Sequence, residues 1–249
     1  MQCVDCVKGV AKKAPHRKTA LGGRLNDGKP VVTYGLIAAC VVMFVLQLAI
    51  SRWTGWFQFA PHMGLDEPWR FLTAAFLHST SFYAHILFNM YALYIAGQFL
   101  EPALGRARFT TLCMLSAVGG SVGVVVLTSP TQTAGGWFWG PSVVGASGMV
   151  FGLFGAMVVI LRRFGANAAQ MIGLIAINTV IGFVVPGIAW QAHLGGLAVG
   201  LACGWAYAHA PKDKHKLVGW ALPVGVVVVL VAATLIRYQL APGGITLWS

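Results

Sequence analysis

Gly145-Ala146-Ser147-Gly148 stands at the head of a short apolar segment that runs to Leu161, and its reading decides the fold. Its counterpart is Ala192-His193-Leu194-Gly195-Gly196-Leu197-Ala198-Val199-Gly200. One segment carries a serine, the other a histidine, and both are apolar enough to lie within a lipid bilayer. A hydroxyl or an imidazole at that depth is costly unless partnered, so each points to function by default.

The rest of the composition agrees with a bilayer setting. The chain has 249 residues, 57% hydrophobic and only 9% charged, where a soluble domain carries about 25% charged residues. Several apolar runs reach the roughly 20 residues that a spanning helix needs. The expected fold class is therefore an all-α polytopic membrane protein, with one helical domain accounting for nearly all of it. A net charge of +11 raises nucleic acid as a partner, but the basic residues form no patch with interleaved aromatics. They sit in the N-terminal tail and in short loops, where they set topology. Cys40, Cys113 and Cys203 fall inside apolar segments and read as small hydrophobes rather than a disulfide framework. Residues 1–30 are polar and basic with no apolar h-region, so no cleavable signal peptide is expected.

Seven spans follow, at about 31–50, 82–101, 108–128, 147–161, 166–185, 190–210 and 217–236, the fourth being short. Arg106 and Arg108, Arg162 and Arg163, and Lys212, Lys214 and Lys216 occupy alternate connections. With the basic tail, they predict a cytoplasmic N-terminus and a C-terminus outside. Arg237, near that outer end, is a weak objection. Residues 128–146 are rich in Gly, Ser, Thr and Pro and are not expected to be helical. Such backbone is tolerated near membrane depth only against protein or a water-filled cavity. The fourth helix then begins partway into the membrane, beside a pocket open to the outer face.

Helix rise places the polar residues on one layer. Measured from Arg162, Lys212 and Glu101, Ser147 lies about 22 Å above the cytoplasmic boundary, His193 about 28 Å, His85 about 24 Å and Asn89 about 18 Å. In a core roughly 30 Å thick, all four fall in the outer half. Gly148 and Gly152 on helix four, and Gly196, Gly200 and Gly204 on helix six, are spaced by four. Small residues at that interval let helices pack closely in lipid. His193 projects from the glycine face, so the seam would bring it to Ser147.

A serine hydroxyl needs a base before it attacks, and His193 is the candidate. The one carboxylate within a span, Glu101, is too far away to complete a triad, so a dyad is the economical expectation. An acyl-transfer site also needs donors for the developing oxyanion. His85 and Asn89, at i and i+4, could supply them with the backbone N–H of Ser147. Phe151, one turn below the serine, could pack against the imidazole and fix its orientation.

Together these residues resemble a known family. Gly145-x-Ser147-Gly148, Ala192-His193-x-x-Gly196-x-x-x-Gly200 and His85-x-x-x-Asn89 resemble the rhomboid intramembrane serine proteases, and Glu67-x-Trp69-Arg70-x-x-Thr73 resembles that family's Trp-Arg loop. The resemblance covers about residues 31–210. It implies a catalytic core of six helices, Ser147 as nucleophile, His193 as base, His85 and Asn89 as oxyanion donors, and an aromatic stacking position at Phe151. It further implies cleavage of single-span membrane proteins in or near the bilayer, without a cofactor. Residues 211–249, holding the seventh helix, resemble the six-plus-one variant. His78 matches another polar position often seen in the family and reads as structural.

In the tail of residues 1–30, Cys3-Val4-Asp5-Cys6 has the spacing of half a zinc site, with His16 a possible third ligand. Structural zinc takes four ligands, and no second C-x-x-C is present. Met1 to Val7 resemble the closing half of a zinc-finger-like module found on actinobacterial rhomboids, which suggests decay or an upstream start.

Three other functions fit the sequence less well. A catalytically silent rhomboid-like protein that binds transmembrane helices keeps the fold but leaves Ser147 and His193 unexplained. A transporter would show broken helices in paired positions, and only 128–146 is irregular. The hydrolase elbow G-x-S-x-G fails at Met149.

Overall fold

The computed structural model describes residues 18–24, 28–133 and 136–241. The half zinc site expected at Cys3 and Cys6, with His16, lies outside these residues. In chain order the elements are α1 (Val31–Ala49), two short helices α2 (Trp53–Phe57) and α3 (Arg70–Thr73), then α4 (Ala84–Leu104) and α5 (Arg106–Leu127). A hairpin of β1 (Thr131–Thr133) and β2 (Gly136–Phe138) follows, then α6 (Ser147–Arg163), α7 (Ala169–Val184), α8 (Trp190–His209) and α9 (His215–Gln239). Among the described residues, seven long helices match the seven apolar runs, and the fold is all-α apart from one antiparallel hairpin. By length and composition, α1, α5 and the run Lys212–Gln239 are each long and apolar enough to cross a membrane.

Helix α6 is the axis of the bundle. Every residue from Gly148 to Val158 is buried, because α5 and α8 close on it from two sides. Close approach requires the absence of side chains. A Cβ on Gly196 would overlap the carbonyl of Gly148, and one on Gly200 would overlap that of Gly152. A Cβ on Gly204 would come within 2.7 Å of Ala156 Cα. The contacts ascend together along both helices, so α6 and α8 run parallel. The expected seam is therefore present, but it has a third wall. On α5, a Cβ at Gly120 would meet Gly148 Cα at 3.3 Å, and one at Gly123 would meet Gly195 Cα at 2.8 Å. Three backbones thus converge where packing, rather than water exclusion, holds helices together.

Glu101 corrects one expectation. It is not at a wet boundary; it is 1% exposed, and α4 continues to Leu104 before Gly105, at φ 77°, turns the chain into α5. The depths measured from Glu101 therefore gain about one turn. The carboxylate caps α1 instead. It accepts hydrogen bonds from Val32 N (2.9 Å), Thr33 N (2.8 Å) and Thr33 Oγ1 (2.8 Å). Orphan N–H groups and the positive end of the helix dipole both favour an anion there.

Helix α9 is tied at both ends. At its start, Arg108 donates to the carbonyls of Leu21 and His215 while its guanidinium covers the Tyr207 ring at 5.2 Å. At its finish, Tyr238 Oη donates to Pro61 O at 2.6 Å, and Arg237 Nη2 donates to Thr128 O at 3.0 Å. Arg237 also lies over the Trp139 ring, 5.1 Å from its centroid. The isolated arginine that seemed out of place near the outer end has a local purpose.

Candidate active site

Ser147 is the first residue of α6, and Ala146, the preceding cap, makes no side-chain hydrogen bond to the first turn. The leading N–H groups of a helix have no intrahelical acceptor. Ser147 therefore presents its hydroxyl beside unpaired backbone donors, as an oxyanion site needs. The backbone reaches this point through Gly145 at φ 132°, a conformation that side chains other than glycine's rarely tolerate.

The approach to Ser147 is held by the loop between α1 and α4. Gly145 N donates to Ala74 O at 3.0 Å, and Phe59 and Val143 exchange backbone hydrogen bonds of 3.1 and 2.7 Å. That loop is itself fastened by Arg70, which is 5% exposed. Its guanidinium donates to Gly55 O (2.7 Å) and Gln58 O (2.8 Å) and pairs with Glu67. Trp69, by contrast, points outward and is half exposed. Within the Trp-Arg motif, the arginine organises the loop and the tryptophan faces the surroundings.

His193 sits on α8, buried, with its ring stacked on Phe151 at 4.2 Å between centroids and 13° between planes. The expected stacking partner is thus in contact. Nδ1 is buried without a hydrogen-bond partner among the described residues. It faces α7, 3.5 Å from where a Cβ of Gly182 would stand. Among the described residues no carboxylate is found in contact with the ring. Among the described residues no hydrogen bond joins Ser147 Oγ to His193. Such bonds are often loose before substrate binds.

His85 lies against the serine turn. A Cβ on Gly145 would come within 2.8 Å of His85 Nε2 and 3.8 Å of Ser147 Oγ, so the imidazole edge and the hydroxyl flank one point. Its Nδ1 accepts from Ser79 N at 3.3 Å, which directs Nε2 toward Gly145. Asn89 is buried one turn along, with Nδ2 donating to His85 O at 2.8 Å. That bond uses one of its two N–H groups and leaves the other.

The structure thus gathers Ser147, His193, His85, Gly145, Gly148 and Phe151 around the head of α6, with Asn89 one turn along α4 from His85 and Gly196 and Gly200 as the packing seam beneath. Supports that the sequence did not reveal also emerge. Gln47 on α1 clamps the backbone of His78, donating from Nε2 to its carbonyl and accepting at Oε1 from its N–H, both at 2.9 Å. The His78 ring lies 5.2 Å from that of His85. A glutamine inside an apolar span was the available signal. Among the described residues, no group of three or more His, Cys, Asp or Glu side chains could hold a metal.

Comparison with known proteins matches residues 65–210 to the Rhomboid domain. The chain is 31% identical to "Rhomboid protease GluP" of Bacillus subtilis (strain 168), over 93% of this chain and 45% of that protein. It is 33% identical to "RHOMBOID-like protein 1" of Arabidopsis thaliana, over 67% of this chain and 46% of that protein. "Putative rhomboid protease YdcA" of Bacillus subtilis (strain 168) is 32% identical over 75% of this chain and 92% of its own length. The chain therefore spans about half the length of the first two and nearly all of the third.

Proposed function

The chain belongs to the rhomboid family, and from that premise we propose that it is an intramembrane serine endopeptidase that cleaves transmembrane segments of single-span membrane proteins through a Ser147–His193 dyad. The observation that carries this reading is the stacking of His193 on Phe151, one turn below Ser147 and across the glycine seam. A bilayer-buried imidazole with no acidic partner among the described residues has little structural reason to be there.

His193 takes the proton of Ser147 Oγ as the oxygen attacks the scissile carbonyl, and returns it to the departing amine. The oxyanion that develops on the carbonyl is met by the Ser147 N–H, by His85 and by the free N–H of Asn89. Water then attacks the acyl-serine by the same proton relay. With Nδ1 turned toward α7, Nε2 is the nitrogen that serves as base. Phe151 supplies from one face the orientation that a carboxylate supplies in a triad.

The same reading divides the chain into a basic cytoplasmic tail (1–30), the catalytic core (31–210) and the seventh helix with its tail (211–249). It makes the protein a multi-pass component of the cell membrane. The N-terminus is cytoplasmic and the active site opens to the extracytoplasmic side, as the basic loops support. No cofactor takes part.

The test is cleavage of a single-span reporter in liposomes by the wild type, Ser147→Ala and His193→Ala. Loss in both variants, with melting behaviour retained, is the expected result. Undiminished cleavage by Ser147→Ala would sink the serine mechanism. A silent wild type whose Ser147 also resists a fluorophosphonate probe would leave a helix-binding protein without catalysis.

A further inference from the structure

At the end of the bundle far from Ser147, the parallel helices α6 and α8 frame a groove of about 410 Å³ lined by Val158, Val159, Arg162, Arg163, Leu201 and His209. Its composition is divided. One part is aliphatic, and the other holds two guanidinium groups and an imidazole. Among the described residues, neither the Arg162 nor the Arg163 side chain has a hydrogen bond or ion pair; the ion pairs found there join Arg70 to Glu67 and Arg106 to Glu101. His209 is held in place, with Nδ1 at 3.0 Å from Trp205 O and its ring stacked on the Trp205 indole at 5.2 Å. The carbonyl can only accept, so Nδ1 carries the hydrogen and Nε2 is left for the groove. Trp205 and Phe164 beside it are well exposed, an apolar surround that suits acyl chains.

Cations in the last turn of a helix are favoured by its dipole, and cations at a membrane boundary set topology. Neither requires two arginines and a fixed histidine to converge on one groove with an aliphatic floor. Arginine's planar fork suits a phosphate, which it can hold by paired hydrogen bonds. We propose that this groove binds an anionic phospholipid, with Arg162 and Arg163 on the phosphodiester, His209 beside it, and an acyl chain along Val158, Val159 and Leu201. The uncompensated positive charge selects an anionic headgroup over a zwitterionic one, and the aliphatic wall selects a lipid over a free phosphate. The site is independent of the Ser147 chemistry.

The experiment is native mass spectrometry of the full chain released from detergent with equal phosphatidylglycerol and phosphatidylcholine, with monodispersity and melting temperature checked for each variant. The wild type should retain phosphatidylglycerol preferentially. Arg162→Gln and Arg163→Gln should each lower that retention roughly five-fold, corresponding to ~1 kcal/mol per basic residue near a membrane surface. Leu201→Trp, which fills the aliphatic wall without altering charge, should lower it as well. Lys212→Gln with Lys214→Gln, on the same side but outside the groove, should leave it unchanged. Equal retention of the two lipids would overturn the proposal. So would equal losses in the lysine and arginine variants, which would indicate diffuse charge. Displacement of the lipid by glycerol 3-phosphate at matched concentration would assign the groove to a free anion instead.

Discussion

The imidazole of His193 lies flat on the ring of Phe151, with centroids 4.2 Å apart, and this contact joins α6 to α8 directly beneath Ser147. In a dyad it replaces the hydrogen bond by which an acid would hold the base. Phe151→Leu keeps much of the volume and removes the flat face. The stacking is worth ~1 kcal/mol beyond burial, so kcat should fall about five-fold with KM nearly unchanged, while Phe151→Tyr should stay close to wild type. Reporter kinetics in liposomes decide it, and an unaltered kcat for the leucine variant would remove Phe151 from the mechanism.

Gly182 offers a separate handle on the same ring. A Cβ there would stand 3.5 Å from His193 Nδ1 and 3.2 Å from Trp190 Cβ. Gly182→Ala should therefore be accommodated by a small shift. Gly182→Leu must push into the imidazole, an overpacking worth ~1–3 kcal/mol. Since α7 buries only Met171 and Gly182, the expected response is displacement of His193 rather than global unfolding. Activity should drop at least about ten-fold, with little change in melting temperature. A matching loss of thermal stability would contradict this view of α7.

Glu101 predicts the opposite pattern. Its carboxylate accepts three hydrogen bonds from the first turn of α1, and glutamine would bring an N–H₂ against donors. Leaving buried donors unsatisfied costs ~1–3 kcal/mol, which for a chain of this size lowers Tm by roughly 2–4 °C per kcal/mol. Cleavage by Glu101→Gln below that temperature should match the wild type. Differential scanning fluorimetry with a parallel assay separates the two effects.

These residues also show what the sequence could and could not convey. Gly148, Gly152, Gly196 and Gly200 recur at a helical interval, so the α6–α8 seam was legible from spacing alone. Gly119 and Gly123 on α5 share that interval, but their part in the same seam, with Gly120 beside them, depends on how three helices converge. Ser147 and His193 stood out because polar groups are rare in apolar runs. Glu101 stood out for the same reason, but its partner is a helix end 68 residues away, and backbone groups leave no mark in a sequence. Arg237 was misleading for the same reason, because its acceptor is the carbonyl of Thr128.

Tyr238 is the fourth test. Its hydroxyl bonds to Pro61 O, and from Pro61 the chain leads through Phe59 and Val143 to Gly145. Tyr238→Phe removes one hydrogen bond, ~0.5–1.5 kcal/mol, while the ring keeps its edge contact with Trp139 at 5.2 Å. Cleavage should slow by about two- to five-fold, and limited proteolysis within residues 58–68 should accelerate. Unchanged proteolysis would mean that the loop is held elsewhere.

The double fastening of α9 has a mechanical consequence. The helix has 25 residues, with Pro223 in its interior, and a length of about 37 Å at 1.5 Å per residue, in a hydrocarbon layer about 30 Å thick. A helix longer than its medium tilts or bends, here with Pro223 as a site for bending, and its tilt changes as the medium thins or thickens. Because one end is pinned near Arg108 and the other to Pro61 and Thr128, that change in tilt loads the segment leading to Ser147. The expected outcome is that membrane thickness alters the rate of the proposed cleavage. In vesicles of stepped acyl length, the wild type should show a rate that varies with thickness, and Tyr238→Phe, with one pin drawn, a flatter response.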